Sequence, residues 1–188
     1  TEMPMSADVA ITKIEAARRQ LDCAVRIFFA GEDYLAIHTL AHAAYSVLSD
    51  LHRERENDAI NLALKSIDRQ RMNSIANFLK HADRDAKAAM LDHNPDAPAM
   101  LMTAASLLYG LLLKRTTPEM AAIDLWTSAM YPAMFEGEHP IIAAVDDDEL
   151  RLILNRLKDY SREERLLVGE SLIDVFRNAD AQPPSCTE

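Results

Sequence analysis

The segment Asp33–His52, DYLAIHTLAHAAYSVLSDLH, decides the fold class of this chain. Wound as a helix at about 100° per residue, it gathers Ile37, Leu40, Ala41, Ala44, Leu48 and Leu51 on one broad apolar face, with Tyr34 and Tyr45 along an edge. His38 falls on that edge. His42 lies one turn further along and slightly nearer solvent, and the i,i+4 spacing lets both imidazoles reach one common atom. A second segment, Arg71–Arg84 (RMNSIANFLKHADR), reads as its spatial neighbour. There Met72, Ile75, Phe78, Leu79 and Ala82 form an apolar face, and Ser74, Asn77 and His81 a polar stripe on its flank.

Composition agrees with a helical reading. The 188 residues are 49% hydrophobic, enough for one core, and only 4 are glycine. Alanine, leucine, methionine, glutamate and arginine, all good helix formers, dominate. One domain over 1–180 is expected, with a sub-division near 92–98 (DHNPDAP for 92–98) left open and a disordered tail at 181–188. The net charge of -10 favours solubility and weighs against a nucleic-acid groove, although a local basic patch, and so RNA, stays open. Cys23 and Cys186 make neither a disulfide framework nor a zinc site, which points to a reducing, cytoplasmic setting. The start TEMPMSADVA has no basic residue followed by an apolar run, so no secretory signal is expected. The stretch Ala97–Leu113 has 17 uncharged residues, short of the ~20 that span a membrane. It also carries Pro98, Thr103, Ser106 and Gly110, and reads as the buried central helix of a soluble bundle.

Capping signals mark the other helices. Thr12 opens a first helix to about Ala30, with Glu15 reaching back to the cap, a core face from Ile11 to Phe29, and Glu15–Arg19 and Asp22–Arg26 as ion pairs on the solvated side. Asp33 caps the second, the alternating charges of His52–Asp58 form a connector, and residues 59–67 suit a short helix. A further helix spans about Arg69–Ala82. Thr117-Pro118-Glu119 opens a helix to about Tyr131, and 132–145 is a loop. The acids Asp146–Glu149 suit the N-terminal dipole of a helix running to about Leu157, and Ser161 with Glu164 forms a capping box for the last one. The fold class is therefore all-α, a compact helical bundle of six to eight helices.

The chain has no P-loop, dinucleotide-binding glycine pattern, HExxH or serine elbow. The candidate catalytic residues are His38, His42, Asn77 and His81, and the candidate binding residues Tyr34, Tyr45, Lys80, Asp83 and Arg84. Three imidazoles, His38, His42 and His81, suit a divalent metal such as zinc or iron. Metal sites in helical bundles pair histidine with glutamate, however, and no Glu-x-x-His occurs here, so no cofactor is expected and a divalent metal is the alternative. A histidine at a core margin more commonly hydrogen-bonds a tyrosine, a carbonyl or an asparagine.

The segments RRQLDCAVRIFF, DYLAIHTLAHAAYSVLSDL and NFLKHADRD, over about the first half of the chain, Arg18 to Arg84, resemble a group of small bacterial all-helical proteins. In these a His-Thr-Leu-Ala helix precedes an Asn-Phe-x-Lys-His-Ala-Asp motif, and the resemblance implies no particular activity. The Asn77–His81 stripe also resembles, distantly, the HEPN helical domains, many of them ribonucleases and dimers. Their motif separates an arginine from the histidine by four to six residues. Before His81 those positions, Ser74–Ala76, hold no arginine, and Arg71 is too far back. Two functions follow as expectations. One is a self-associating interaction module, a homodimer with adaptable methionine-rich helices and no membrane contact. The other is a hydrolase, HEPN-like on RNA or metal-assisted, centred on the histidines.

Overall fold

A computed structural model describes residues 10–53, 69–80, 87, 89, 94–134 and 146–181. These form seven α-helices and no strand: α1 (Lys13–Phe29), α2 (Tyr34–Arg53), α3 (Arg69–Lys80), α4 (Ala97–Leu113), α5 (Pro118–Met130), α6 (Asp148–Asn155) and α7 (Arg162–Ala181). Two short 3-10 turns, Pro132–Met134 and Leu157–Asp159, follow α5 and α6. The all-α bundle expected from periodicity is the fold. The proposed helix over 59–67 lies outside the described residues.

Caps set most of the boundaries. The Thr12 hydroxyl accepts from the Glu15 amide at 3.2 Å, and Asp33 Oδ1 from Ala36 at 3.0 Å. Thr117 accepts from Met120 at 3.2 Å and Asp147 from Leu150 at 3.0 Å. At α7 the capping box is reciprocal: Glu164 N donates to Ser161 Oγ (3.3 Å) while Ser161 N donates to Glu164 Oε2 (2.8 Å). Gly31, at φ +72°, turns the chain from α1 into α2, and Glu32 N then reaches Ile27 O at 3.0 Å.

Helix α4 occupies the centre. It packs on α1, α2 and α5, while α5 packs on α7 and α6. The core is continuous, running from Leu21, Val25 and Phe28 of α1 through Ile37 and Leu48 of α2 to Leu101, Met102 and Leu108 of α4 and Ile123 and Trp126 of α5. Trp126 is fully enclosed. Phe28 meets it edge-on, with ring centroids 5.4 Å apart and planes at 85°, Phe29 lies at 6.0 Å, and the indole Nε1 donates to Arg165 O at 2.8 Å.

Several expectations are corrected. Ile11 precedes α1 and is exposed. The Glu15 carboxylate does not return to the cap but binds Arg18 (2.7 Å) and Arg19 (2.8 Å), because a guanidinium is the stronger donor. Asp22 does not pair with Arg26. It is buried, bound by Arg18 at 2.6 Å and by the Thr117 hydroxyl at 2.7 Å, while Arg26 turns to Glu119 on α5. Phe78 and Leu79 are exposed, whereas Ile75 and Ala76, among the α3 side chains that the structure describes, are buried. Leu157 lies in the 3-10 turn beyond α6, and α7 reaches Ala181.

Gly169 permits a close approach of α7 to α1: a Cβ added there would overlap the Phe29 ring atoms Cδ1 and Cε1. That ring is wedged between Phe28 and Trp126 and has nowhere to go. Gly169→Ala is therefore expected to lower stability by about 1–3 kcal/mol, overriding the helix propensity gained. Thermal unfolding should show a fall of several degrees, and an unchanged or raised midpoint contradicts this packing.

Candidate functional site

The histidines of α2 form a column. Tyr34, His38, His42 and Ser46 follow one another at i,i+4 spacing on a single helical face. The His38 and His42 rings are stacked, with centroids 6.2 Å apart and planes at 25°, and Tyr34 lies 6.1 Å from His38 at 39°. His42 Nδ1 is 3.4 Å from Ser46 Oγ. Both imidazoles are buried, His38 at 2% exposure and His42 at 9%, and Tyr34, Tyr45 and His52 are buried as well. Asn77 and Lys80, on α3, are exposed. His81, Asp83 and Arg84 lie outside the described residues. The structure thus brings Tyr34, His38 and His42 together within the packing of α2, with Asn77 at the solvent side of α3. Among the described residues no three His, Cys, Asp or Glu side chains could jointly hold a metal ion.

Acidic residues absent from the sequence-based candidates carry the more perturbed chemistry. Glu119, in the first turn of α5, is buried, and its Oε1 accepts from Arg26 of α1 (2.9 Å) and Arg177 of α7 (2.7 Å). Burial pushes this carboxyl up, but the two guanidiniums, Arg177 foremost, outweigh it and hold the group below the usual range. Asp22 goes the other way, since burial raises it beyond what the Thr117 hydroxyl and Arg18 recover. Asp96, which precedes α4, is clamped by Arg162 at 3.0 Å and Arg165 at 3.6 Å, tying the central helix to α7.

Asp124 has no such cation. It sits on α5 at the seam with α4, where Ser106 Oγ donates to its Oδ2 at 2.7 Å. Its Oδ1 is buried with no hydrogen-bond partner among the described residues. Next to this pair along the seam, Thr103 Oγ1 donates to Thr127 Oγ1 at 2.9 Å. Burial pushes the Asp124 carboxyl from an ordinary 3.8 up to about 7, against the smaller pull of Ser106. A signal for it is present in the sequence: Asp124 stands between Ile123 and Leu125 in a helix whose only other charged residue is Glu119.

Compared with protein-family models, with curated proteins and with solved structures, the chain has no match.

A histidine enclosed in the α2 packing leaves unsatisfied neighbours when removed, which costs about 1–3 kcal/mol. His38→Ala and His42→Ala should each lower the melting temperature, with the larger fall at the more deeply buried His38. Melting temperatures equal to the wild type contradict the packing role.

Proposed function

We propose that this protein is a self-association module, and that two copies meet through the outward face of the α4–α5 hairpin. The supporting observation is the absence of charge on that face. Helix α4 has no ionisable side chain except Tyr109, which is buried. Its outer strip, Met100, Thr103, Leu107, Gly110 and Leu111, is apolar or neutral, with Leu107 43% exposed and the others half-buried. Ala121 and Asp124, half-buried on α5, border it.

Charge selects this face and its occupant. In a two-fold dimer each surface meets its own copy, so any net charge on it is doubled and repelled. The chain carries a net charge of -10, which penalises contact elsewhere. Of the other exposed apolar side chains among the described residues, Ile11 stands near Lys13, and Phe78 and Leu79 precede Lys80. Leu152 has Asp148 and Glu149 one turn before it, Leu167 is ringed by Glu163, Glu164 and Glu170, and Val175 adjoins Asp174. Leu107 alone among these has uncharged ground around it. The strip from Met100 to Leu111 is about 16 Å long at 1.5 Å per residue, so the dimer belongs to the small, weak class of interface, with micromolar dissociation.

Sedimentation velocity across the micromolar range tests this reading. The wild type is expected to shift reversibly towards twice its 21.0 kDa mass as concentration rises. Leu107→Glu, which places a charge at the centre of the face, should remain monomeric with its helical circular dichroism unchanged. A wild type that stays monomeric at 100-fold higher concentration than the lowest tested, or a Leu107→Glu variant that associates equally well, contradicts it.

A further inference from the structure

The uncharged character of the α4–α5 face depends on one group. Asp124 borders the outer strip, its carboxyl is withdrawn behind the surface, and only the Ser106 hydroxyl serves it. A neutral carboxylic acid needs little more than this one contact. An ionised carboxylate needs further donors or water for Oδ1, since an unpaired buried charge is far costlier than an unpaired neutral group.

The charged groups around Asp124 are committed elsewhere. Helix α4 offers none. Of the cations that α1 and α7 bring to α5, Arg26 and Arg177 hold Glu119, and Arg165 reaches Asp96. Asp22 of α1 is bound by Arg18 and Thr117. On α6, Arg151 pairs with Asp148, and Lys158 and Asp159 of the turn beyond it are exposed. The 3-10 turn Pro132–Met134 is uncharged. No cation among the described residues therefore neutralises Asp124, and its protonation state is set by burial and by Ser106.

We propose that the Asp124–Ser106 pair makes self-association proton-sensitive: the two-fold contact forms with Asp124 neutral in both copies and weakens when the carboxyl ionises. The inference rests on the self-association reading above. The sign follows from linkage. Covering the face removes the remaining water from Asp124, so its pKa in the dimer lies above that in the free chain, which is about 7. Association is then at full strength below pH 7 and is lost as the pH rises through the higher value in the dimer. Because each dimer holds two such protons, the association constant should fall by at least about tenfold between pH 6 and pH 8.5.

Sedimentation velocity at pH 6 and pH 8.5, on the wild type, Asp124→Asn and Ser106→Ala, tests the proposal. Asparagine keeps the shape and the Ser106 contact but cannot ionise, so Asp124→Asn should associate equally at both values. Ser106→Ala removes the one donor that favours the charged form, so the loss of association should move to higher pH. That variant carries the test if circular dichroism shows Asp124→Asn to be unfolded. A wild type that dimerises equally at pH 6 and pH 8.5 overturns the proton sensitivity and leaves the self-association reading standing. So does a pH dependence that Asp124→Asn retains in full, or one whose midpoint Ser106→Ala does not move. A chain that is monomeric at both values overturns the reading, and this inference with it.

Discussion

A helix of 17 residues without a charge cannot stand in water, and the rest of the molecule is arranged around meeting that constraint for α4. Helices α1, α2 and α5 each lay an apolar face against it. The cover they need follows from their own sequences: Ala17, Leu21, Ala24 and Val25 on α1, Ala41, Ala44 and Leu48 on α2, and Ile123 and Trp126 on α5 are all fully buried or nearly so. Small residues, alanines above all, let these helices come close. At Gly169 even a methyl group is excluded, so that α7 can close over Phe29. What remains uncovered on α4 is one narrow strip centred on Leu107.

An acidic chain that buries carboxylates has to compensate each of them, and the compensation differs from site to site. Glu119 takes two arginines on one oxygen and links α1, α5 and α7. Asp96 takes two from α7, and Asp22 takes one arginine and a hydroxyl. These are cross-links between helices far apart in sequence, and breaking one leaves a charge without its partner. Asp124 is the exception, because its compensation is a proton. Glu119, whose charged form is favoured by its two arginines, opposes acid unfolding, whereas Asp124 favours the folded state at low pH and withdraws that support as the pH rises from about 4 towards 7.

Helix boundaries were legible in the sequence because caps are local. Thr12, Asp33, Thr117 and Ser161 each bond an amide three residues on, so residue order alone reveals them. Partner choice was not legible. Asp22 stands at i,i+4 from both Arg18 and Arg26, and only the approach of α5, with Glu119 available to Arg26 and Thr117 to Asp22, decides between them. The histidine column was visible as spacing, and the structure adds that both rings lie inside the packing of α2. The Asp124–Ser106 pair joins positions 18 residues apart on two helices that each read as apolar, and neither residue has a local partner to advertise it.

The uncharged α4–α5 face, rather than any other apolar patch, is the surface proposed to join two copies. Hydroxyl-radical footprinting with mass spectrometry, at protein concentrations below and above association and at pH 6, measures this residue by residue. Oxidation of Met100 and Leu107 is expected to fall as the chains associate, while Leu152, Leu167 and Val175 are oxidised at the same rate throughout. Protection of Leu167 and Val175 with Met100 and Leu107 unchanged would contradict it.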